Sequence, residues 1–352
     1  MSFEVKNFGK TSEGTQARLY TLKNSDGTEA VFTDLGAAWV SMKVADKNGN
    51  FDDVIFGYDT PEIYEKNPTS CGECVGRNAN RTGNAAFMID GVKYQIAKND
   101  NGINNLHSGP DYWKSRVFSA GTEESKLGSK VTFSLFSKDM DQGYPGNLSF
   151  SVSYTLKEDN SVSIEYKASS DRTTLCNPTN HCYFNLAGHG SGSILDQEVW
   201  INADSYTPTD RYSIPDGRIL PVAGTPMDFT VMKPIGKDIG ADFEPLKFGN
   251  GYDHNYVLNQ YDGKIRLVAK AADKKTGRIL KVYTDLPGMQ FYCGNSLKSQ
   301  APGKGGADYA FRTGYCFETQ FYPDAVNKPE WPSPLLKKGE EYHHYTIYKF
   351  GV

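Results

Sequence analysis

Histidine is scarce in this chain of 352 residues, occurring only at positions 107, 181, 189, 254, 343 and 344. It is also the side chain whose unperturbed titration falls nearest neutrality, so the context of each one is informative. His343 and His344 are adjacent in an alternating run, Tyr342–Phe350, and must point to opposite faces of a strand rather than act as a pair. His107 (in NNLHSG) and His181 (in NPTNHCYFNLAG) are set among polar and turn-forming residues. Around His181, the side chains of Asn177, Thr179, Asn180 and Asn185 lie beside Tyr183 and Phe184. Polar groups in such a frame must be satisfied by a ligand, water or backbone. Two carboxylates stand out, Asp253 in GYDHNYVL and Glu318 in FETQFYPDAVN. Cys316, Phe317 and Phe321 flank Glu318, and burial there would raise its pKa toward that of a general base. On an ordinary alternating strand the same Glu would face solvent. GRNANRTG places Arg77 and Arg81 between glycines, where a planar guanidinium could clamp hydroxyls or sit as a surface cation in a turn.

Other motifs carry weaker chemistry. Cys71-Gly72-Glu73-Cys74 has the spacing of a metal or redox pair, but no second pair matches it and no βαβ pattern surrounds it. It reads as structural, and no metal site is expected. Gly303-Lys304-Gly305-Gly306 lacks the Ser or Thr that a phosphate loop needs after its Lys, and reads as a flexible loop. The sequons at Asn80 and Asn147 carry no meaning without a secretory signal, and none is visible at the N-terminus.

The elements that must position these groups are short. Glycine (35) and proline (17) interrupt the chain about once every seven residues, which leaves little room for long helices. Alternating runs at Val131–Ser137, Ser149–Leu156, Ser161–Ala168, Ile265–Ala271, Ile279–Tyr283 and Tyr342–Phe350 have the period of half-buried strands. Lys157–Asn160 reads as a hairpin turn, while Pro61–Tyr64 and Ile235–Gly240 read as single helical turns. The expected fold is all-β, a large single-domain antiparallel β-sandwich over residues 1–352, without repeats or linkers. Net charge is −4 and no basic cluster exceeds two residues, which excludes a nucleic-acid partner. No apolar run suits a membrane span, and six scattered cysteines suggest a reduced, cytoplasmic protein.

In order along the chain, GRNANRTGNAAF, NNLHSGP, DQGYPGNLSFSVSYTL, NPTNHCYFNLAG, YDHNYVL, LPGMQFYCGN and FETQFYPDAVN resemble the motifs of the aldose 1-epimerase (galactose mutarotase) family. The resemblance implies a β-sandwich whose concave face holds a sugar. It also implies cofactor-free interconversion of the α and β anomers of aldohexoses such as galactose and glucose. Carried over by position, His181 is the general acid, Glu318 the general base and His107 a second active-site histidine. Asn80, Arg81, Asp253 and Gln290 match sugar-binding positions, and Tyr183 lies beside the acid. Pro178, Cys182, Ser108 and Cys293 depart from the usual Leu, Ser, Gly and Thr without removing an acid, a base or a charged ligand. The chemistry needs one acid and one base, expected on opposite sides of a pyranose. A glycoside hydrolase built on Asp253 and Glu318, an epimerase of a phosphorylated hexose, and a non-catalytic sugar-binding protein are the competing readings. Sugar preference and oligomeric state stay open.

Overall fold

The computed structural model describes residues 2–125 and 128–352. Its frame is a nine-stranded antiparallel sheet, in spatial order Ser119–Ser125, Gly128–Ser137, Leu148–Leu156, Ser161–Ser170, Glu341–Gly351, Ile279–Thr284, Arg266–Ala272, Glu198–Ile201 and Lys233–Pro234. The alternating runs read from the sequence form the middle of this sheet. Their inward residues are fully buried, as at Val152, Ile164, Val282 and Tyr348. The expected turn at Lys157–Asn160 joins Leu148–Leu156 to Ser161–Ser170 in register, with Leu156 opposite Val162. The strand Glu341–Gly351 inserts between two sheet neighbours that are distant in sequence, so the chain's last strand sits in the middle of the sheet.

A six-stranded antiparallel sheet packs against it, in the order Tyr183–Phe184, Tyr315–Gln320, Gly288–Tyr292, Asp253–Val257, Ser205–Tyr206 and Leu220–Pro221. Phe291 and Phe317 of this sheet stack at 5.3 Å, and the Tyr348 hydroxyl donates across the interface to the Phe317 carbonyl at 2.6 Å. A third sheet of five strands, from Ser2–Lys10 to Phe51–Asp53, adds Phe32 and Trp39 to the same apolar core. Phe32 stacks on Tyr154 at 4.4 Å and Trp39 packs on Tyr348 at 5.7 Å. Truncating such a buried aromatic typically costs ~3–5 kcal/mol, so these contacts hold the three sheets in one arrangement.

Helix is confined to short pieces. The expected turn at Pro61 is an α-helix over Pro61–Lys66, with the proline in its first turn where no amide bond is lost. Ile235–Lys237 is a 3₁₀ turn, and Glu244–Gly249 is a further helix that the sequence pattern did not reveal. Among the described residues no helix is long and apolar enough to cross a membrane.

One expectation is corrected here. The glycine-rich segment around Lys304 is a pinned turn, not a free loop. Lys304 Nζ donates to Asp53 Oδ2 and to the Val40 carbonyl, both at 2.6 Å, and the pair is largely buried. Asp53 also accepts from Ser41 Oγ and the Met42 amide. The contact spans 251 positions in sequence, so no local pattern could have announced it.

Candidate active site

One face of the six-stranded sheet carries the chemistry. In a strand, residues two apart share a face, and directly opposed residues on neighbouring strands share it too. Glu318 on Tyr315–Gln320 pairs with Gln290, which pairs in turn with Asn255. Cys316 and Gln320 flank Glu318 on the same face. Tyr315–Gln320 is buried along its whole length rather than alternating, so Glu318 is 2% exposed and does not reach bulk solvent. Its Oε2 atom has no hydrogen-bond partner.

His181 reaches this face from the short strands around it. Its amide donates to the Glu73 carbonyl and its carbonyl accepts from Gly72, which ties the NPTNHCYFNLAG segment to the Cys71–Cys74 segment. The cysteines of that segment are buried and unpaired, as are the other four. His181 Nε2 lies 3.7 Å from Glu318 Oε2, and its Nδ1 lies 3.6 Å from Cys316 Sγ. The His107 ring crosses edge-to-face at 5.3 Å from His181, and Tyr183 lies 5.1 Å away.

His107 is positioned differently. It sits in a left-handed backbone conformation (φ 54°) in the LHSG turn, and its amide donates to the Asn80 carbonyl. The Asn80 amide donates back to His107 Nδ1 at 3.1 Å. A nitrogen that accepts from N–H carries the lone pair, so the neutral His107 ring must bear its proton on Nε2. Ser108, one of the departures from the family pattern, builds this turn: its Oγ donates to the Asn78 carbonyl and accepts from the Asn78 amide.

His107, His181, Tyr183 and Glu318 line a cavity of about 180 Å³ together with Asn80, Arg81, Asp253, Tyr292, Ser296, Leu297 and Gln300. That is below the roughly 300–1,000 Å³ of pockets for drug-sized ligands and suits one sugar ring. Seven of the eight residues singled out from the sequence line it: Asn80, Arg81, His107, His181, Tyr183, Asp253 and Glu318. Gln290 does not. It is buried behind Asp253 and donates from Nε2 to Asp253 Oδ1 at 2.7 Å, so it orients that carboxylate. Arg81 is held by Asp100 at 3.0 Å through its Nε. Arg77, the other arginine of GRNANRTG, is fully buried away from the cavity and donates to Ser137, Lys138, Pro145 and Thr174. Tyr292, Ser296, Leu297 and Gln300 were not found from the sequence. Tyr292 is two residues beyond Gln290 on one strand, and that alternation was the available signal.

Burial dominates the electrostatics. It pushes Glu318 well above the ordinary carboxylate range, with repulsion from Asp253 adding to it and Arg81 partly opposing. It pushes His181 down to about 4, offset in part by its own backbone carbonyl and by Asp253. His107 is held well below its ordinary value by burial, and by His181, Arg81 and Lys114. Burial thus disfavours the charged form of all three groups. Two imidazoles and a carboxylate at this spacing could in principle hold a metal ion, with their donor atoms within 4.8 Å of one another. The Asn80 amide argues against it, because it leaves His107 Nε2 protonated and without a lone pair to give. The arrangement suits proton transfer.

The sequence profile of a family described as Aldose 1-epimerase matches residues 18–349. Galactose mutarotase from Bos taurus is 41% identical over 333 residues, covering 93% of this chain and 92% of its own. Aldose 1-epimerase from Escherichia coli (strain K12) is 38% identical over 342 residues, covering 96% of each. Among solved structures, galactose 1-epimerase from Lactobacillus acidophilus NCFM superposes with a TM-score of 0.87 at 27% identity, covering 100% of this chain and 99% of its own.

Proposed function

The chain belongs to the aldose 1-epimerase family and interconverts aldose anomers, and we propose that His181 and Glu318 are the acid and base that do so on an aldohexose such as galactose or glucose. The observation that most supports these roles is the 3.7 Å approach of His181 Nε2 to an unpartnered, buried Glu318 carboxyl inside a sugar-sized cavity.

That distance changes one expectation. A pyranose does not fit between two groups so close, so the pair does not straddle the ring. It approaches the anomeric end from one side, where the ring oxygen and the anomeric hydroxyl oxygen share a single carbon. With the pair's proton on His181, Glu318 takes the anomeric hydroxyl proton while His181 Nε2 protonates the ring oxygen. The bond from the anomeric carbon to the ring oxygen breaks, giving the open aldehyde. Rotation presents the other carbonyl face, and closure reverses both transfers. Each positioned acid or base typically contributes ~10²–10⁴-fold. His107, with its proton fixed on Nε2, acts as a hydrogen-bond donor to a sugar oxygen rather than as a base. Arg81, Asp253 and Asn80 grip the distal hydroxyls, and Tyr183 offers a ring face for the sugar's C–H surface. Gln290 acts through Asp253.

The phosphorylated-hexose reading is disfavoured by the lining. Arg81 is the only lysine or arginine among the described lining residues and is already bonded to Asp100, while Asp253 and Glu318 are both acidic. A phosphate dianion would ordinarily call for several cationic donors. A binding-only role is disfavoured by Glu318, since an unpartnered buried carboxyl destabilises the fold and binding alone does not need one. Six buried, unpaired cysteines fit a reducing, cytoplasmic setting, and an apolar core drawn from all three large sheets fits a single folding unit. Polarimetry of freshly dissolved α-galactose tests the assignment. His181→Asn and Glu318→Gln should each lower turnover by at least ~10²-fold with the fold retained, and near-wild-type rates for both would overturn it.

A further inference from the structure

Tyr292 is buried and directly opposes Asp253 on the neighbouring strand, so both side chains rise on the face that carries the chemistry. The Tyr292 hydroxyl meets Ser296 twice. It accepts from the Ser296 amide at 3.0 Å and stands 2.6 Å from Ser296 Oγ. Between two hydroxyls one must donate. A phenol is the more acidic of the two and the poorer acceptor, because its lone pairs are drawn into the ring. Its oxygen is already taken by the amide, and burial, with the Asp253 charge nearby, keeps it protonated. The phenol therefore donates to Ser296 Oγ. A serine hydroxyl that accepts in this way keeps its own proton to give. Ser296 stands exposed at the mouth of the same cavity as Asp253, and among the described residues no second partner is bonded to its Oγ.

We propose that Ser296 is a further sugar-binding residue, its hydroxyl donating to a hydroxyl at the distal end of the hexose, and that Tyr292 is the positioning residue that turns it there. The proposal rests on the distal grip assigned to Asp253. A carboxylate only accepts, whereas Ser296 has a proton to give, so the two offer the same end of the sugar an acceptor and a donor. A sugar hydroxyl can satisfy both at once, and a deoxy carbon can satisfy neither. A site built to hydrogen-bond a hydroxyl rejects the analogue that lacks it far better than an apolar wall could. The bonds also run in one direction, from amide to phenol to serine to sugar, so each polarises the next. The backbone beneath Ser296 is fixed independently of the sugar. Asn295, one residue earlier, donates from Nδ2 to the carbonyls of Gly249 and Tyr252 at 3.1 and 2.9 Å.

The test measures kcat and KM by polarimetry on galactose and on its 2-, 3-, 4- and 6-deoxy analogues. It compares the full-length protein with Ser296→Ala, Tyr292→Phe, the double variant and Asp253→Asn. Ser296→Ala should raise KM for galactose about two- to tenfold, the worth of one neutral hydrogen bond. The loss should fall on KM rather than kcat, because a bond to a distal hydroxyl is made alike in the ground and transition states. It should persist on 2-deoxygalactose and vanish on one of the 3-, 4- or 6-deoxy sugars, the one that lacks the partner hydroxyl. A serine that only shapes the wall would show no such dependence. Tyr292→Phe should reproduce part of the rise, and adding it to Ser296→Ala should bring no further loss. An unchanged KM in Ser296→Ala overturns the inference, as does an equal loss on every deoxy sugar or a loss that vanishes only on the 2-deoxy sugar. A Tyr292→Phe effect that survives in full in the double variant also overturns it, since the phenol itself would then face the sugar. Asp253→Asn separates the two claims. If KM is unchanged there, the distal grip fails and the placement of Ser296 falls with it; if KM rises there but not in Ser296→Ala, only the role of the serine is lost.

Discussion

Replacing Glu318 with Gln should abolish most activity and make the protein more stable. In the native state the carboxyl is 2% exposed, with Oε2 unpartnered, and its pKa is raised by burial and by Asp253. In the unfolded chain it titrates near its ordinary value of 4.5. A raised native pKa contributes stability that is complete below that value and is lost as pH rises through the native pKa, because the unfolded state releases its proton first. At pH 7 the wild type therefore carries a cost that the amide does not. Leaving a buried polar group unsatisfied costs ~1–3 kcal/mol, and more when it is charged, which sets the scale of the gain. An unfolding entropy of about 2.1 cal/mol/K per residue gives roughly 0.7 kcal/mol/K for a chain of this length, so Tm should rise by ~1.5–4 °C. Thermal unfolding followed by circular dichroism at pH 7 and again below pH 4.5 would read this, with polarimetry on the same samples. The gain should be present at pH 7 and shrink toward zero in acid, while turnover falls at least ~10²-fold. A Glu318→Gln protein that melts at or below wild type at pH 7, or a difference that does not change with pH, would refute the burial-raised carboxyl and favour a resting ion pair with His181.

His181 and His254 are both buried and held down to about 4, so each binds a proton more readily when unfolded. The stability this represents is complete above the ordinary value of 6.5 and is lost as pH falls toward 4, amounting to about 3 kcal/mol per residue by linkage. Denaturant titrations at stepped pH should show His254→Asn flattening that acid loss relative to wild type. Lys304→Met leaves Asp53 buried without its cation and should cost ~3–5 kcal/mol, with a Lys304→Met/Asp53→Asn double variant recovering much of it; equal stability of the two variants would show that the pair is not coupled. Glucose 6-phosphate should be a far poorer substrate than glucose in a coupled or polarimetric assay, because Arg81, paired with Asp100, is the only lysine or arginine among the described lining residues. Comparable kcat/KM for the two sugars would contradict that reading of the lining.

The parts of this protein legible in its sequence were those governed by neighbours along the chain. Alternation of apolar and polar residues located the sheet strands, since the side-chain period of a strand is two and needs no tertiary information. Turn residues marked Lys157–Asn160, and a polar cluster around His181 signalled groups that needed partners. Local context failed where the deciding contact was distant. Arg77 and Arg81 look alike in GRNANRTG, yet one is consumed by carbonyls and hydroxyls of other loops and the other lines the cavity. The Lys304 turn looked free because its anchor, Asp53, belongs to the first sheet. Gln290 matched a sugar-binding position but stands behind Asp253, which only the pairing of two strands reveals.

Residue types alone determined that an acid–base chemistry was available, because imidazole and carboxyl are there in polar, aromatic-flanked settings. What folding decided was their state. Three sheets closing on one core bring His181 within 3.7 Å of Glu318 across 137 positions of chain and bury both, which disfavours the charged form of each. The cost of burying charge depends on what surrounds a group in space, and that is a property of the packed chain rather than of any segment of it.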